Sequence, residues 1–295
     1  MVSAFLDPKN YIAFKKIFGT EKNKGILIHF INDMMLFKTK SPIVDVTFLK
    51  ANQDPEIALQ KTSFVDILCK DSNGINYIVE MQVAKEKGFE KRAQYYASKT
   101  YSSQLLIKGQ YHKLKEIVFL AISSETLFPN KSDHVLLDLD TYEHDLKDFS
   151  FTFIELEKFH KTIDELNTIQ EKWDYFFKYA EKTSPEDLEK IIGKDLVLQE
   201  AYTALERFSW SEEELLSYDQ LEKYEGAYIA SMDQKLDEGI AIGKAEGKLE
   251  RNQEVAKEML LDNEPLDKII KYSSLTLKDV MELKKISPNK LGIIL

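Results

Sequence analysis

Hydrophobic positions along the chain change period several times, and each change marks an element. Phe14, Ile17 and Phe18 recur at helical spacing over Asn10–Gly19, with Gly19 placed to stop the helix. Leu27, Ile28, Ile31, Met34 and Met35 do the same over Lys24–Phe37, after Thr20 or Asn23 as a cap. Pro42 ends that unit, Ile43–Leu49 (IVDVTFL) reads as a strand, and Asn52-Gln53-Asp54-Pro55 reads as a loop. Ser63–Asp71 (SFVDILCKD) and Ile75–Val83 (INYIVEMQV) are apolar, β-branched arms either side of Ser72-Asn73-Gly74. Asn73 and Gly74 both tolerate positive φ, so a β-hairpin is predicted. Glu86–Leu106 returns to helical spacing and stops at Lys108-Gly109. Lys115–Ile122 (KEIVFLAI) is nearly all apolar, as a buried central or parallel strand is, and Val135–Leu139 and Phe151–Leu156 read as further strands. This order predicts an α/β fold with a mixed central sheet flanked by helices.

After about Lys158 the pattern is helical. Ile163–Thr183 and Pro185–Phe208 are long amphipathic stretches, and Ser211–Glu214 reads as a capping box. Gly239, Gly243 and Gly247 follow at spacing four. Small residues at that spacing share a helix face and allow close self-association; the same glycines would also weaken and fray a helix. Pro265–Leu283 holds two short helices joined by Ser273-Ser274-Leu275-Thr276, a small helix-turn-helix or a plain helical hairpin, and a loose tail starts near Ser287. The expected division is residues 1–158 as an α/β core, 159–235 as a helical extension, and 236–295 as a glycine-spaced helix with a small helical hairpin.

The composition, 43% hydrophobic and 31% charged, is that of a globular protein. A lone cysteine, Cys69, excludes an internal disulfide and fits a reducing, cytoplasmic setting. The first residues lack a signal-peptide pattern, and no run of roughly 18 apolar residues is present, so no membrane association is expected. The net charge of −10 argues against a protein that coats DNA. It is unevenly spread: Lys85–Glu116 carries eight Lys/Arg against three Glu, whereas Pro185–Glu225 carries twelve Asp/Glu against four Lys/Arg. A basic stretch directly after the hairpin is placed either to hold phosphates or to be the solvated face of a helix.

The hairpin contains three polar side chains that a buried strand normally excludes: Asp66, Glu80 and Gln82. Glu80 and Gln82 project from one face. Folding about the turn sets Asp66 opposite Val79, Glu80 or Met81, according to register. In the middle register two carboxylates and an amide oxygen converge, which is costly to bury unless a cation neutralises them. Hard oxygen ligands favour Mg²⁺ or Mn²⁺. The competing reading is a polar row on the open face of a half-exposed sheet. Asp45, on the preceding strand, is a weaker fourth acid. The histidines show no zinc spacing, and no phosphate loop or nucleophile elbow is present.

An Asp, a hairpin and a Glu-x-(Lys or similar) form the signature of PD-(D/E)XK phosphodiesterases. FKKIFG (Phe14–Gly19), VDILCKDSNGINYIVEMQ (Val65–Gln82), KRAQYYASKTYSSQL (Lys91–Leu105), Gly109-x-Tyr111 and EGIAIGKAEGK near the C-terminus extend the likeness. With these the chain resembles the Rpn recombination-promoting nucleases, also described as PD-(D/E)XK nuclease family transposases. The resemblance implies a restriction-endonuclease-like core and a metal-dependent DNA endonuclease tied to recombination or mobile elements. A metal-activated water would hydrolyse the phosphodiester. Asp66 and Glu80 would be the metal ligands, with Gln82 as the third catalytic residue in the place where other members of the superfamily carry lysine. A glutamine has no charge and cannot do everything an ammonium does, which leaves room for a basic residue from elsewhere in the chain or for an inactive site. Lys61, Lys85, Arg92 and Lys99 are candidates for holding phosphate or orienting water, and Lys15 is a weaker one. Arg92 stands out because it lies early on the following helix, near Tyr95 and Tyr96; a surface salt bridge is its ordinary alternative. The two tyrosines suit core packing or base stacking. The expected partners are DNA and, through the C-terminal helices, a second copy of the chain. The alternative function is an inactive nuclease fold kept as a DNA- or protein-binding module.

Overall fold

A five-stranded sheet separates two apolar cores in the computed structural model, which describes residues 3–35, 42–50, 52–53, 63–84, 86–105, 110–129 and 148–286. The chain forms two compact units, residues 1–224 and 225–295. The first opens with α1 (Tyr11–Phe18) and α2 (Lys24–Met34). Strands β1 (Val46–Phe48), β2 (Asn52–Gln53), β3 (Ser63–Phe64), β4 (Ile67–Asp71) and β5 (Asn76–Gln82) follow. Helix α3 (Phe89–Ser102) leads to β6 (Ile117–Ser123) and β7 (Phe149–Glu155). The sheet order is β1-β4-β5-β6-β7, antiparallel across the first pairs and parallel from β5 to β7, while β2 and β3 form a separate small ribbon.

Alternation along the strands explains the two cores. Ile67, Cys69, Val79, Val118 and Leu120 face α1, α2 and the later helices. Leu68, Ile78, Phe119 and Ala121 face α3 through Phe89, Ala93 and Ala97. Strand β6 is buried at every position, as its continuous apolar run predicts. The extension packs on the first core: α4 (Ile169–Tyr179) supplies Trp173, Phe176 and Phe177, and α6 (Leu196–Leu205) supplies Leu198 and Tyr202. No helix among the described residues is long and apolar enough to cross a membrane.

Several local expectations change. Thr20 and Asn23 do not cap α2; both side chains donate to the carbonyl of Lys16 and close the end of α1 instead. The first hairpin arm is split, because the chain bends at Asp66 between β3 and β4. Only Gly74 of the turn dipeptide takes positive φ, at 86°. Asp71 holds the three-residue loop Ser72-Asn73-Gly74 by accepting from the backbone N–H groups of Asn73 and Ile75, both at 2.9 Å. Gly193, at φ 57°, breaks the stretch after Pro185 into α5 (Pro185–Ile192) and α6. The capping box at Ser211–Glu214 is present and starts α7 (Glu212–Leu261), which runs unbroken through its glycines. Helices α8 (Leu266–Ser273) and α9 (Leu277–Ile286) complete the second unit. The expected strand Val135–Leu139 and the tail from Ser287 lie outside the described residues.

Candidate active site

The register decides the chemistry. Ile67 pairs with Val79, so Asp66 stands opposite Glu80, the middle register of the three open from sequence. The backbone N–H of Asp66 donates to Glu80 Oε1 at 3.1 Å. The backbone N–H of Met81 donates to Asp66 Oδ2 at 2.8 Å. Each carboxylate is thus held by the other residue's strand, and both share the α3 side of the sheet with Leu68 and Ile78.

Two carboxylates at this spacing cannot both ionise without cost. Burial raises the Glu80 pKa, and the charge of Asp66 raises it further. Burial also raises that of Asp66, against the Met81 N–H and the charges of Lys15 and Arg92. Glu80 is buried and Asp66 half-buried. Both are hard oxygen donors, and a divalent cation would remove their mutual repulsion, so the pair fits such an ion. Among the described residues no group of three or more His, Cys, Asp or Glu side chains is placed to hold a metal, so further ligands would have to come from elsewhere, such as the Gln82 amide, backbone carbonyls or water.

The positive charge expected near Gln82 comes from Arg92. Its Nη2 donates to Gln82 Oε1 at 2.6 Å, and its Nη1 donates to the Glu86 carboxylate. The guanidinium lies 4.9 Å from the Phe89 ring centroid and 5.9 Å from that of Tyr96. Gln82 donates its amide to the carbonyl of Ala84, which fixes the oxygen toward Arg92. Gly88 takes φ 85° immediately before α3, whose first turn carries Arg92 to its bond with Gln82 at the end of β5.

Lys15 approaches from the other side. Its ammonium donates to the backbone carbonyl of Asp66 and sits 5.5 Å from the Tyr11 ring centroid. Burial lowers its pKa, while Asp66 and Glu80 both act to raise it. Among the described residues, Lys15 and Arg92 are cations that act on both carboxylates. Lys99 lies further along α3. Tyr96 is half-buried and feels both acids; Tyr95 is 44% exposed, its ring centroid 6.1 Å from that of Tyr96. Asp45 is drawn away from the site into an exposed ion pair with Lys24 at 2.8 Å. Lys61 and Lys85 lie outside the described residues. Sequence reasoning missed Glu86 and Tyr11. Tyr11 was recoverable from its i, i+4 relation to Lys15; Glu86 was not, because it meets Arg92 only through the entry turn of α3.

A mixed sheet whose hairpin carries an aspartate opposite a Glu-x-Gln, backed by a helix bearing arginine, defines a PD-(D/E)XK nuclease-type fold. The model of the PD-(D/E)XK nuclease family transposases matches residues 8–235, and the chain belongs to that family. This supports a nuclease-type function associated with transposition, in a class that generally uses divalent metal ions. No curated protein and no solved structure matches the chain.

Proposed function

We propose that this protein is a Mg²⁺- or Mn²⁺-dependent DNA endonuclease acting in recombination or on mobile elements in the cytoplasm. The observation that carries the reading is the Asp66–Glu80 pair, set opposite each other on a bent hairpin with arginine and lysine on either side. In this reading Asp66 and Glu80 hold the ion through carboxylate oxygens. The chemistry supplied by a bound ion is polarisation of the scissile phosphate and a lowered pKa for the attacking water. Arg92 binds a phosphate oxygen with the arm that faces solvent, while Gln82 holds the other arm in place. Lys15 balances the charge of the acid pair. Tyr95 and Tyr96 border the approach to the site, and Lys99 extends the positive helix face along the DNA backbone.

Cleavage of supercoiled plasmid tests this. Nicking should require Mg²⁺ or Mn²⁺, stop with EDTA and disappear in Asp66→Ala. A folded protein that binds the ion and DNA without cutting would instead be the non-catalytic module.

Self-association through α7 is part of the same proposal. Tyr228, Met232 and Leu236 are exposed on successive turns, and nothing lies within 4 Å of a Cβ built on Gly239, Gly243 or Gly247. Such a face on a long helix is supported by a second copy. Leu236→Glu should lower the solution mass; an unchanged mass would remove this part.

A further inference from the structure

The second unit closes on a core of its own. Ala256 from the end of α7, Ile269 from α8, Leu275 from the link and Val280 from α9 are buried together, with Met259 and Leu283 against them. Two left-handed residues shape its turns. Asn263 has φ 55°, and the N–H groups of Asn263 and Glu264 donate to the carbonyls of Leu260 and Met259 at 3.2 and 3.0 Å, which ends α7 in a Schellman motif. Ser274, also at φ 55°, ends α8 after eight residues. Leu275 then turns inward, and Thr276 starts α9: its hydroxyl accepts from the Asp279 N–H at 3.2 Å, and its own N–H donates to Asp279 Oδ2 at 3.0 Å. Among the described residues these are the only non-glycine residues with positive φ, and both serve this fold.

We propose that α8 and α9 form a helix-turn-helix that seats α9 in the major groove of duplex DNA. A three-residue link with a left-handed first position is the motif's construction, with Ser274 where glycine is common. The core uses Val280 and Leu283 of α9, which turns Lys278, Met281, Glu282 and Lys285 outward. The first turns of such a helix meet the base edges. Here those turns present Leu277 and Met281, 54% and 42% exposed, apolar groups suited to thymine methyls. Charge favours the same ligand. In a chain of net charge −10, residues 266–286 hold five lysines against three acids, and one of those acids, Asp279, is occupied in the cap. Lys278 and Lys285 flank the exposed apolar pair, where phosphates border the groove. The proposal takes from the nuclease reading only that the ligand is DNA. The family match ends at residue 235, before this unit begins its turns.

The test is binding of the full-length protein to a mixed-sequence DNA duplex in EDTA, with salt raised from about 50 to 200 mM. Wild type is compared with Lys278→Glu/Lys285→Glu, Leu277→Ser/Met281→Ser and Arg92→Ala. The charge reversal should weaken binding at least about tenfold and reduce the salt slope by about two. The serine pair should weaken binding with an unchanged slope. Because all four positions are exposed, circular dichroism should stay that of wild type. Unaltered binding in both double variants overturns the proposal, as does a wild type that binds no duplex. Loss only in Arg92→Ala keeps the nuclease core and overturns the helix-turn-helix. Loss only in the α9 variants does the reverse.

Discussion

The backbone N–H of Asp66 donates to Glu80 Oε1 at 3.1 Å, so the two acids of the hairpin are tied together by the chain itself before any ligand arrives. The same tie places two carboxylates side by side, and both have raised pKa values, first through burial. Stability and metal affinity are therefore opposite readings of one arrangement.

In the absence of metal, Glu80→Gln should stabilise the protein at neutral pH. The folded pKa of Glu80 lies above its ordinary 4.5, so the unfolded chain releases this proton first. Stability from this group is then full below about 4.5 and declines as pH rises toward the folded value. Thermal melts of the apo protein should fall across that window in wild type and fall less in the variant. Added Mn²⁺ should raise the wild-type melting temperature and leave Glu80→Gln unmoved. A variant that melts lower at every pH would count against the pair's repulsion.

Arg92 has one arm on buried Gln82 and the other on half-exposed Glu86. Glu86→Gln should free the outer arm and lower KM for DNA a few-fold with kcat little changed. Arg92→Lys cannot span both partners, and kcat/KM should fall about 10- to 100-fold, near 1.4–2.8 kcal/mol of transition-state binding. Steady-state kinetics on a labelled duplex separates the two effects. An equal KM in Glu86→Gln would show that the carboxylate does not compete with phosphate.

Gly74 fixes the register on which the site depends. At φ 86° an added Cβ is strained, and it would meet Lys115 Cγ at 3.3 Å. Gly74→Ala should cost about 1–2 kcal/mol, measurable by urea unfolding, and should lower nicking because the hairpin then pairs less firmly. Gly25→Ala, in open space within α2, serves as the control and should be neutral or stabilising.

Asp174 gives a stability prediction away from the site. Its Oδ1 is buried without a hydrogen-bond partner among the described residues, and burial, with Glu171 nearby, raises its pKa from 3.8 to about 7. Wild-type stability should fall as pH rises from 3.8 to about 7. Asp174→Asn should remove that slope and gain about 1–3 kcal/mol above neutrality, read from urea midpoints at pH 5 and pH 8. Parallel pH profiles in the two proteins would show that the carboxyl is already solvated.

Much of the site was legible because strand geometry is local. Alternation along Ile75–Val83 puts Glu80 and Gln82 on one face, and the Asn73-Gly74 turn limits Asp66 to three partners. The lone Cys69 falls on the other face, and it is fully buried, with its thiol pushed up to about 12. Helix limits were less legible where side chains serve a neighbouring element: Thr20 and Asn23 have the chemistry of caps for α2, yet they bond back to Lys16.

By itself, then, the sequence determined the hairpin, its acids and the five strands of the main sheet in chain order, since these follow from short-range periodicity and turn chemistry, whereas Asn52–Gln53, which reads as a loop, forms β2 through its pairing with β3. Only the tertiary structure decided which register the arms take and which cation reaches the acids. Arg92 meets Gln82 because Phe89, Ala93 and Ala97 dock α3 on Ile78 and Phe119. Lys15 meets Asp66 because Phe14 and Phe18 anchor α1 in the opposite core. These contacts join residues 10 and 51 positions apart, on different elements, and they depend on how whole elements pack rather than on any local pattern.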